Sequence, residues 1–193
     1  MTDAMALIAG AVPAPPATGA APRVWADLGA GRGTFTAALA RLLGPGGRLH
    51  AVDREPAAVA ALERLAASGG REGGAATIVP HRADFAESRS WRALTLPPLD
   101  GVLLANALHF VAPAEQPGVL ERLAAALRPG GRLVIVEYDG RRANRWVPFP
   151  VSRERLGALL PTSVGPPRLV GSRPSAFGGT IYAAAAERRA GGG

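Results

Sequence analysis

The chain of 193 residues contains no cysteine and no lysine, and it has no apolar run long enough to cross a membrane. The lack of cysteine excludes a disulfide framework, a thiolate zinc site and a cysteine nucleophile. We expect no metal site and no membrane partner. The apolar residues 1–10 have no basic region before them, which disfavours a secretory signal and leaves the cytoplasm as the expected location.

Arginine carries all of the positive side-chain charge, and the formal net charge is +7. Such a charge can attract nucleic acid or an acidic substrate. The arginines are scattered, however, with adjacent pairs only at 141–142 and 188–189. This scatter favours a solvated basic surface over a nucleic-acid track, so we do not expect nucleic acid to be a partner.

From residue 23 onward, apolar runs alternate with helical patterns. The runs predict strands over residues 23–26, 48–52, 76–79, 100–105 and 133–138. Helices are predicted over residues 34–43, 56–67, 86–94 and 114–127, with glycine-rich breaks at 69–74 and 128–131. This alternation is typical of an α/β fold with a doubly wound, mostly parallel sheet.

The last two predicted strands, residues 168–171 and 180–186, are too close in sequence for a crossover helix. They should form a C-terminal antiparallel hairpin that completes a seven-stranded sheet. A loop over 139–151 and a short helix over 152–160 precede them. We expect one domain over 23–186, a flexible Ala/Pro-rich segment over 1–22 whose short helix (2–8) frays, and a disordered tail over 187–193.

A glycine turn joins the first strand to the first long helix, with the pattern Asp27-x-Gly29-x-Gly31-x-Gly33. Such a turn exposes backbone N–H groups and a helix N-terminus to a ligand. A dinucleotide fingerprint, G-x-G-x-x-G, would need glycine where Thr34 stands. Asp27 would also repel a pyrophosphate, whereas it suits a cationic ligand.

Polar residues follow the next three strands: Asp53, Asp84 and Asn106. Asp53 by itself is more often a loop residue or a helix N-cap, and Asp84 by itself could equally cap the helix that follows it. Ligands of such sheets bind outside the carboxyl ends of the strands, so the combination predicts a nucleoside-type cofactor.

These motifs resemble those of the class I S-adenosylmethionine-dependent methyltransferases, over about residues 23–186. The resemblance implies S-adenosyl-L-methionine as the cofactor, with the glycine turn near its methionine part. It further implies that Asp53 accepts the ribose hydroxyls, that Asp84 and Phe85 contact the adenine, and that Asn106 lines the methionine end. The cofactor-binding residues implied are Asp27, Gly29, Ala30, Gly31, Gly33, Asp53, Arg54, Asp84, Phe85 and Asn106.

The methyl acceptor should lie at the same edge of the sheet. His109, Glu137 and Tyr138 are candidate catalytic residues, with His109 as a base or, equally, a histidine that lines a loop. The aromatic and proline residues after the fifth strand suggest a pocket wall, although Trp146 and Phe149 could instead seal the core edge. The candidate acceptor-binding residues are His109, Phe110, Asn144, Trp146, Phe149, Arg173 and Phe177.

The leading hypothesis is methyl transfer to nitrogen or oxygen of a small organic acceptor. One alternative is a tRNA or rRNA methyltransferase, and another is a non-catalytic cofactor-binding subunit. The Asn-Pro-Pro-aromatic signature of some amino-group methyltransferases is absent, since Ala107 and Leu108 follow Asn106. With about 22 residues before the first strand, the site is open or a partner copy in a homodimer closes it.

Overall fold

The computed structural model of the chain describes residues 2–14, 21–72, 74–176 and 178–190. Seven strands form one sheet: β1 (Val24–Leu28), β2 (Arg48–Asp53), β3 (Thr77–Arg82), β4 (Leu99–Ala105), β5 (Leu127–Asp139), β6 (Arg168–Pro174) and β7 (Thr180–Glu187). The helices are α1 (Thr2–Ile8), α2 (Thr34–Leu43), α3 (Pro56–Glu72), α4 (Ser88–Ala93), α5 (Gln116–Ala126) and α6 (Arg153–Leu159).

The order of strands across the sheet is β3-β2-β1-β4-β5-β7-β6. The pairings among β1 to β5 are parallel, whereas β7 runs antiparallel to both β5 and β6. The predicted α/β class, doubly wound sheet and C-terminal antiparallel hairpin are therefore confirmed. From β1 the chain adds β2 and β3 on one side, and it then returns to add β4 and β5 on the other side. The carboxyl ends of β1 and β4, where this order reverses, therefore lie beside a crevice.

Apolar side chains cover both faces of the sheet, as expected for strands enclosed by helices. Neighbouring residues of β1 show this, because Trp25 packs in one core layer and Ala26 in the other. The Trp25 layer includes residues of α1 and α2, and the Ala26 layer includes residues of α5 and α6. The sheet is thus held rigidly from both sides, which is the framework a binding site needs.

Three predicted boundaries are wrong, because the elements extend further than their local sequence signals indicated. α3 continues through the expected loop at 69–74 as far as Glu72, since a glycine costs a helix only about 1 kcal/mol. β5 begins at Leu127 rather than at 133, because Leu127 pairs with Leu99 across an irregularity. β3 runs to Arg82, beyond its predicted end at residue 79, because β2 pairs with it as far as Asp53.

The predicted helix over 86–94 is shorter, because the Glu87 carboxylate accepts hydrogen bonds from the N–H groups of Arg89 and Ser90 and starts α4 at Ser88.

The tail is ordered as far as it is described. The Arg188 N–H donates to the Gly131 carbonyl over 2.8 Å, which ties the residues after β7 to the start of β5. The expectation of disorder is therefore wrong for residues 187–190.

The N-terminal helix is docked, whereas the sequence led us to expect fraying. α1 buries Ala4, Leu7 and Ile8 in the same core layer as Trp25. The Arg132 guanidinium, from β5, also donates to the Ala11 carbonyl over 2.8 Å. Burial of apolar side chains supplies the stability that so short a helix lacks by itself. Among the described residues, no helix has the length and apolar character needed to cross a membrane.

Gly171 offers a test of this docking. A methyl group at this position would overlap the Leu7 backbone. We expect Gly171→Ala to lower the free energy of unfolding by about 1–3 kcal/mol, as overpacking does, and to increase hydrogen exchange over residues 2–11. Gly118→Ala is the matched control, because a methyl group there meets open space and alanine favours the helix. Equal exchange in the two variants would contradict the docking of α1.

Candidate active site

A cavity of about 560 Å³ opens at the carboxyl ends of the strands. The structure brings together there all of the predicted cofactor-binding residues except Gly33. Phe110 also lines the cavity, whereas the other candidate acceptor residues do not. Sequence reasoning missed several lining residues, mostly small or apolar ones without a polar signal: Arg32, Thr34, Phe35, Glu55, Ala83, Ala86, Ala105, Ala107 and Val111.

Left-handed backbone conformations shape the glycine turn, with φ of 68° at Gly29 and 55° at Gly31. A Cβ on Gly29 would come within 2.7 Å of the Ala107 Cβ, so any side chain there would overlap the wall of the cavity. A Cβ on Gly31 would meet open space. The backbone at Gly31 is therefore free for close approach by a ligand.

Gly33 has a different role from the one expected. It is the N-cap of α2, with φ of 88°, and a Cβ there would lie 2.7 Å from the Leu65 side chain of α3. Its lack of a side chain allows α2 and α3 to pack closely. Gly33 thus supports the turn from behind and does not face the cavity.

The Asp53 carboxylate joins the end of β2 to the glycine turn. Its Oδ2 accepts a hydrogen bond from the Gly31 N–H over 2.8 Å, and its Oδ1 accepts one from the Glu55 N–H over 2.9 Å. Each carboxylate oxygen has a second lone pair. Asp53 is therefore held in one orientation and can still accept hydrogen bonds from ligand hydroxyls.

Asp27 is buried at the base of the cavity with 1% of its surface exposed. Desolvation raises the pKa of its carboxyl group to about 7, and repulsion from Asp53 adds to that effect. The hydroxyl of Thr36, which donates to Asp27 Oδ2 over 2.7 Å, partly offsets the rise in pKa. A cationic ligand would favour the ionised form of this carboxylate.

Asp84 lies at the rim, where its Oδ2 is 3.3 Å from the Arg54 guanidinium. Its Oδ1 accepts a hydrogen bond from the Ala86 N–H and so shapes the loop before α4. Glu87, rather than Asp84, is the residue that caps α4. The Asp84 carboxylate remains beside Phe85 in the cavity wall.

Asn106 is strained and partly unsatisfied, two features that often mark functional positions. Its φ is 54°, in a region that residues other than glycine rarely adopt. Its N–H donates to the Val136 carbonyl over 2.8 Å, which fixes the backbone. Its buried Oδ1 has no hydrogen-bond partner among the described residues. Because this oxygen is not exposed, a ligand donor in the cavity would reach it only after the Asn106 side chain shifts.

His109 and Glu137 form a buried pair behind the cavity. The Nδ1 of His109 lies 2.7 Å from Glu137 Oε2, and the backbone N–H of His109 donates to Oε1 over 3.1 Å. A carboxylate accepts a hydrogen bond from a protonated Nδ1, and in the tautomer that carries its proton there, Nε2 is the acceptor nitrogen. His109 packs against Phe110, with ring centroids 4.4 Å apart, and Tyr138 is the next ring at 6.1 Å. None of His109, Glu137 and Tyr138 lines the cavity itself.

The remaining candidate acceptor residues have different environments, as far as the structure describes them. The Phe149 N–H donates to the His109 carbonyl over 3.1 Å. Asn144 builds a turn, because its side-chain oxygen accepts the N–H of Trp146 over 2.9 Å. Trp146 is 65% exposed, so it does not seal the core edge. Arg173 is exposed near the end of β6, and Phe177 lies outside the described residues. Among the described residues, no three His, Asp or Glu side chains group as a metal would require.

The raised pKa of Asp27 predicts how stability depends on pH. The folded state holds a proton that the unfolded state releases between about pH 4 and pH 7, so stability should fall as pH rises through that window. Asp27→Asn removes this proton exchange. Between pH 5 and pH 8 the native apoprotein should lose about 1 kcal/mol or more of unfolding free energy that the variant keeps. Urea unfolding of both proteins at the two pH values measures this difference. Parallel pH profiles of the two proteins would contradict the assignment.

Thr36→Val provides a companion variant, because Thr36 is the hydrogen-bond donor to Asp27. It removes the hydrogen bond that lowers the Asp27 pKa, so its stability should fall with pH at least as steeply as that of the native chain. A shallower fall in this variant would show that another group causes the pH dependence.

Comparisons with known proteins agree with this architecture. A family model described as a methyltransferase domain matches residues 26–133. Carboxy-S-adenosyl-L-methionine synthase of Chromohalobacter salexigens is 34% identical over 148 residues, which are 67% of this chain and 51% of that protein. Acetylserotonin O-methyltransferase of Mus musculus is 33% identical over 115 residues, 60% of this chain and 28% of that protein. The chain thus spans about half the length, or less, of these curated relatives.

Among solved structures, that of 1,6-didemethyltoxoflavin-N1-methyltransferase from Burkholderia thailandensis, with bound 1,6-didemethyltoxoflavin and S-adenosylhomocysteine, is similar, with a TM-score of 0.66 and 25% identity. The similarity covers 97% of this chain and 79% of that one. The family model covers more than half of the chain, and it includes the glycine turn and the acidic strand ends that form the cavity. This chain therefore belongs to the class I S-adenosylmethionine-dependent methyltransferases.

Proposed function

We propose that the chain transfers the methyl group of S-adenosyl-L-methionine to a nitrogen or oxygen atom of a small organic acceptor. The cavity supports this proposal, because it combines the glycine turn, buried Asp27 and the strand-end carboxylates with an apolar side at Phe110. Both an N-methyltransferase and an O-methyltransferase are among the relatives, so either acceptor atom is consistent with the family.

The cavity residues fit the cofactor of this family. Asp53 would accept its ribose hydroxyls, and Asp84 with Phe85 would hold its adenine. The unsatisfied Oδ1 of Asn106 and the carboxylate of Asp27 would face the methionine end, which carries the positive charges. Gly31 leaves room for close approach of the ligand to the backbone.

When bound, the cofactor supplies a methyl group on a positively charged sulfur. A lone pair of the acceptor would take this methyl group as the carbon–sulfur bond breaks, and S-adenosylhomocysteine would be the other product. The protein's contribution is to align the acceptor and exclude water, which can lower the barrier by about 7–11 kcal/mol.

A hydroxyl or ammonium acceptor must also lose a proton, and we assign its removal to His109. Glu137 acts as a positioning residue, because it keeps the proton on Nδ1 and leaves Nε2 able to accept another. Phe110 lies between the His109 ring and the cavity, so this role requires the acceptor to reach past Phe110. Phe110 is 54% exposed, and an exposed side chain can change rotamer with little cost.

Calorimetry with S-adenosylhomocysteine, followed by a labelled-methyl screen of small amines and phenols, tests the proposed function. Binding without methylation of any acceptor would favour the non-catalytic subunit. Methylation of RNA, with binding that weakens steeply as salt rises, would favour the RNA methyltransferase.

A homodimer that closes the open side of the cavity remains a prediction, which the oligomeric state in solution would test.

The role of Asp53 can be separated from its contribution to folding. We expect Asp53→Ala to weaken the binding of S-adenosylhomocysteine about tenfold to a hundredfold, because hydrogen bonds to a charged group are lost. Asp100→Ala is a matched control, since Asp100 also accepts a backbone N–H at a strand end, from Val24 over 2.7 Å, but at the opposite edge of the sheet. Unchanged binding in Asp53→Ala, measured by calorimetry, would refute the ribose assignment.

Variants of the buried pair test the acid–base role. With an acceptor identified by the screen, His109→Gln should lower kcat about a hundredfold or more if the acceptor must lose a proton. Affinity for S-adenosylhomocysteine should change little, which also shows that the variant is folded. Glu137→Gln should lower kcat less and shift the pH profile of kcat. Unchanged activity of His109→Gln across pH would leave His109 as a packing residue.

A further inference from the structure

Charge is divided unevenly between the two sides of the cavity. Its cofactor side contains the carboxylates of Asp27, Asp53, Glu55 and Asp84. In the chain after β5, no acidic residue occurs between Asp139 and Glu154 or between Glu154 and Glu187. Arginines occur throughout these stretches, and Arg142 and Arg145 lie on either side of Asn144.

The segment of residues 140–149, which we call the arginine loop, does not line the cavity but is connected to it through His109 and Phe110. Phe110 lines the cavity and packs on His109, and the backbone of Phe149 is bonded to the His109 carbonyl. The Arg141 guanidinium lies 4.8 Å from the centre of the Tyr138 ring, which in turn neighbours His109. Continuous contacts therefore lead from the cavity to the arginine loop.

The arginine loop presents a flat aromatic surface together with positive charge. Trp146 is 65% exposed, and the Arg145 guanidinium lies 4.4 Å from the centre of its ring. Asn144 fixes the turn through two backbone N–H groups, at 2.9 Å and 3.1 Å. These bonds fix the backbone that presents Trp146, and a tryptophan side chain has only two rotatable bonds, so a planar ligand can pack against it at a small cost in conformational entropy.

Several arginines elsewhere already have local partners. Arg153 Nε lies 2.8 Å from Asp139 Oδ2, and Arg128 Nη1 lies 3.1 Å from Asp100 Oδ1. In contrast, Arg142 and Arg145 are exposed and have no carboxylate within ion-pair distance in the part of the chain that the structure describes. Their charges are available to a ligand, and a guanidinium matches the geometry of a carboxylate or a phosphate.

We infer that the methyl acceptor is a small aromatic molecule that carries a carboxylate or phosphate group, an inference that rests on the proposed function. Trp146 packs against its ring, and Arg142 and Arg145 bind its anionic group. A nucleic acid fits less well, because the carboxylates on the other side of the cavity would repel a chain of phosphates. Arg142, Arg145 and Trp146 are thus specificity-determining residues for the acceptor.

Matched probes test this inference without knowledge of the natural acceptor. Para-hydroxybenzoate and para-hydroxybenzamide differ in charge but little in shape, and phenyl phosphate supplies the alternative anion. Saturation-transfer NMR measures their binding with and without saturating S-adenosylhomocysteine. We expect at least one anionic probe to bind about fivefold or more tighter than the amide, as two surface ion pairs would give.

The double variant Arg142→Gln/Arg145→Gln should abolish this preference and leave the affinity for S-adenosylhomocysteine unchanged. The control Arg48→Gln/Arg64→Gln removes the same charge from exposed positions in β2 and α3 and should keep the preference. Trp146→Ala should weaken the binding of the aromatic anions and of the amide alike.

Three binding results would overturn the inference. They are equal binding of the anions and the amide, no binding of either at millimolar concentration, and an equal loss of the anion preference in the control variant. A single-stranded RNA oligonucleotide that displaces para-hydroxybenzoate and is itself methylated would assign the arginine loop to nucleic acid. Failure of S-adenosylhomocysteine to bind would count against the proposed function alone, because the anion preference is also measured without it.

Discussion

The binding site depends on the parallel pairing of β2, β1 and β4, which brings three carboxyl ends of strands to one edge. Two kinds of hydrogen bond complete this edge. The Gly29 and Ala30 N–H groups donate to the Val52 carbonyl at 2.9 Å and 3.0 Å, and the Asp53 carboxylate accepts the Gly31 N–H. The glycine turn is thereby attached to β2 before any ligand binds. Its shape is preorganised, so binding need not provide the entropy of ordering it.

Two buried carboxylates show how the same fold treats charge in different ways. Asp27 has one hydroxyl donor and a nearby carboxylate, and its raised pKa reflects charge that the protein compensates only in part. A cationic ligand would complete that compensation. Glu137 instead receives two hydrogen bonds from His109, one from the backbone and one from the ring. It couples β5 to the turn after β4 and holds the imidazole in one tautomer.

Much of the fold could be predicted because its local signals agree. The glycine turn, the alternation of strands with helices and the close spacing of the last two strands each have a local cause. The start of β5 at Leu127 and the docking of α1 could not be predicted in this way. Both depend on partners far away in the chain, namely Leu99 for β5 and the core layer around Trp25 for α1.

The sequence by itself determined the α/β fold class, the glycine turn and the polar residues that follow three strands. These features depend on backbone propensity and on residue type at the ends of elements. Only the tertiary structure decided that Gly33 supports packing, that Glu137 binds His109, and that Arg142 and Arg145 are exposed without carboxylate partners in the described part of the chain. The physical reason is that side-chain contacts and burial are set by residues distant in sequence, and no local pattern encodes them.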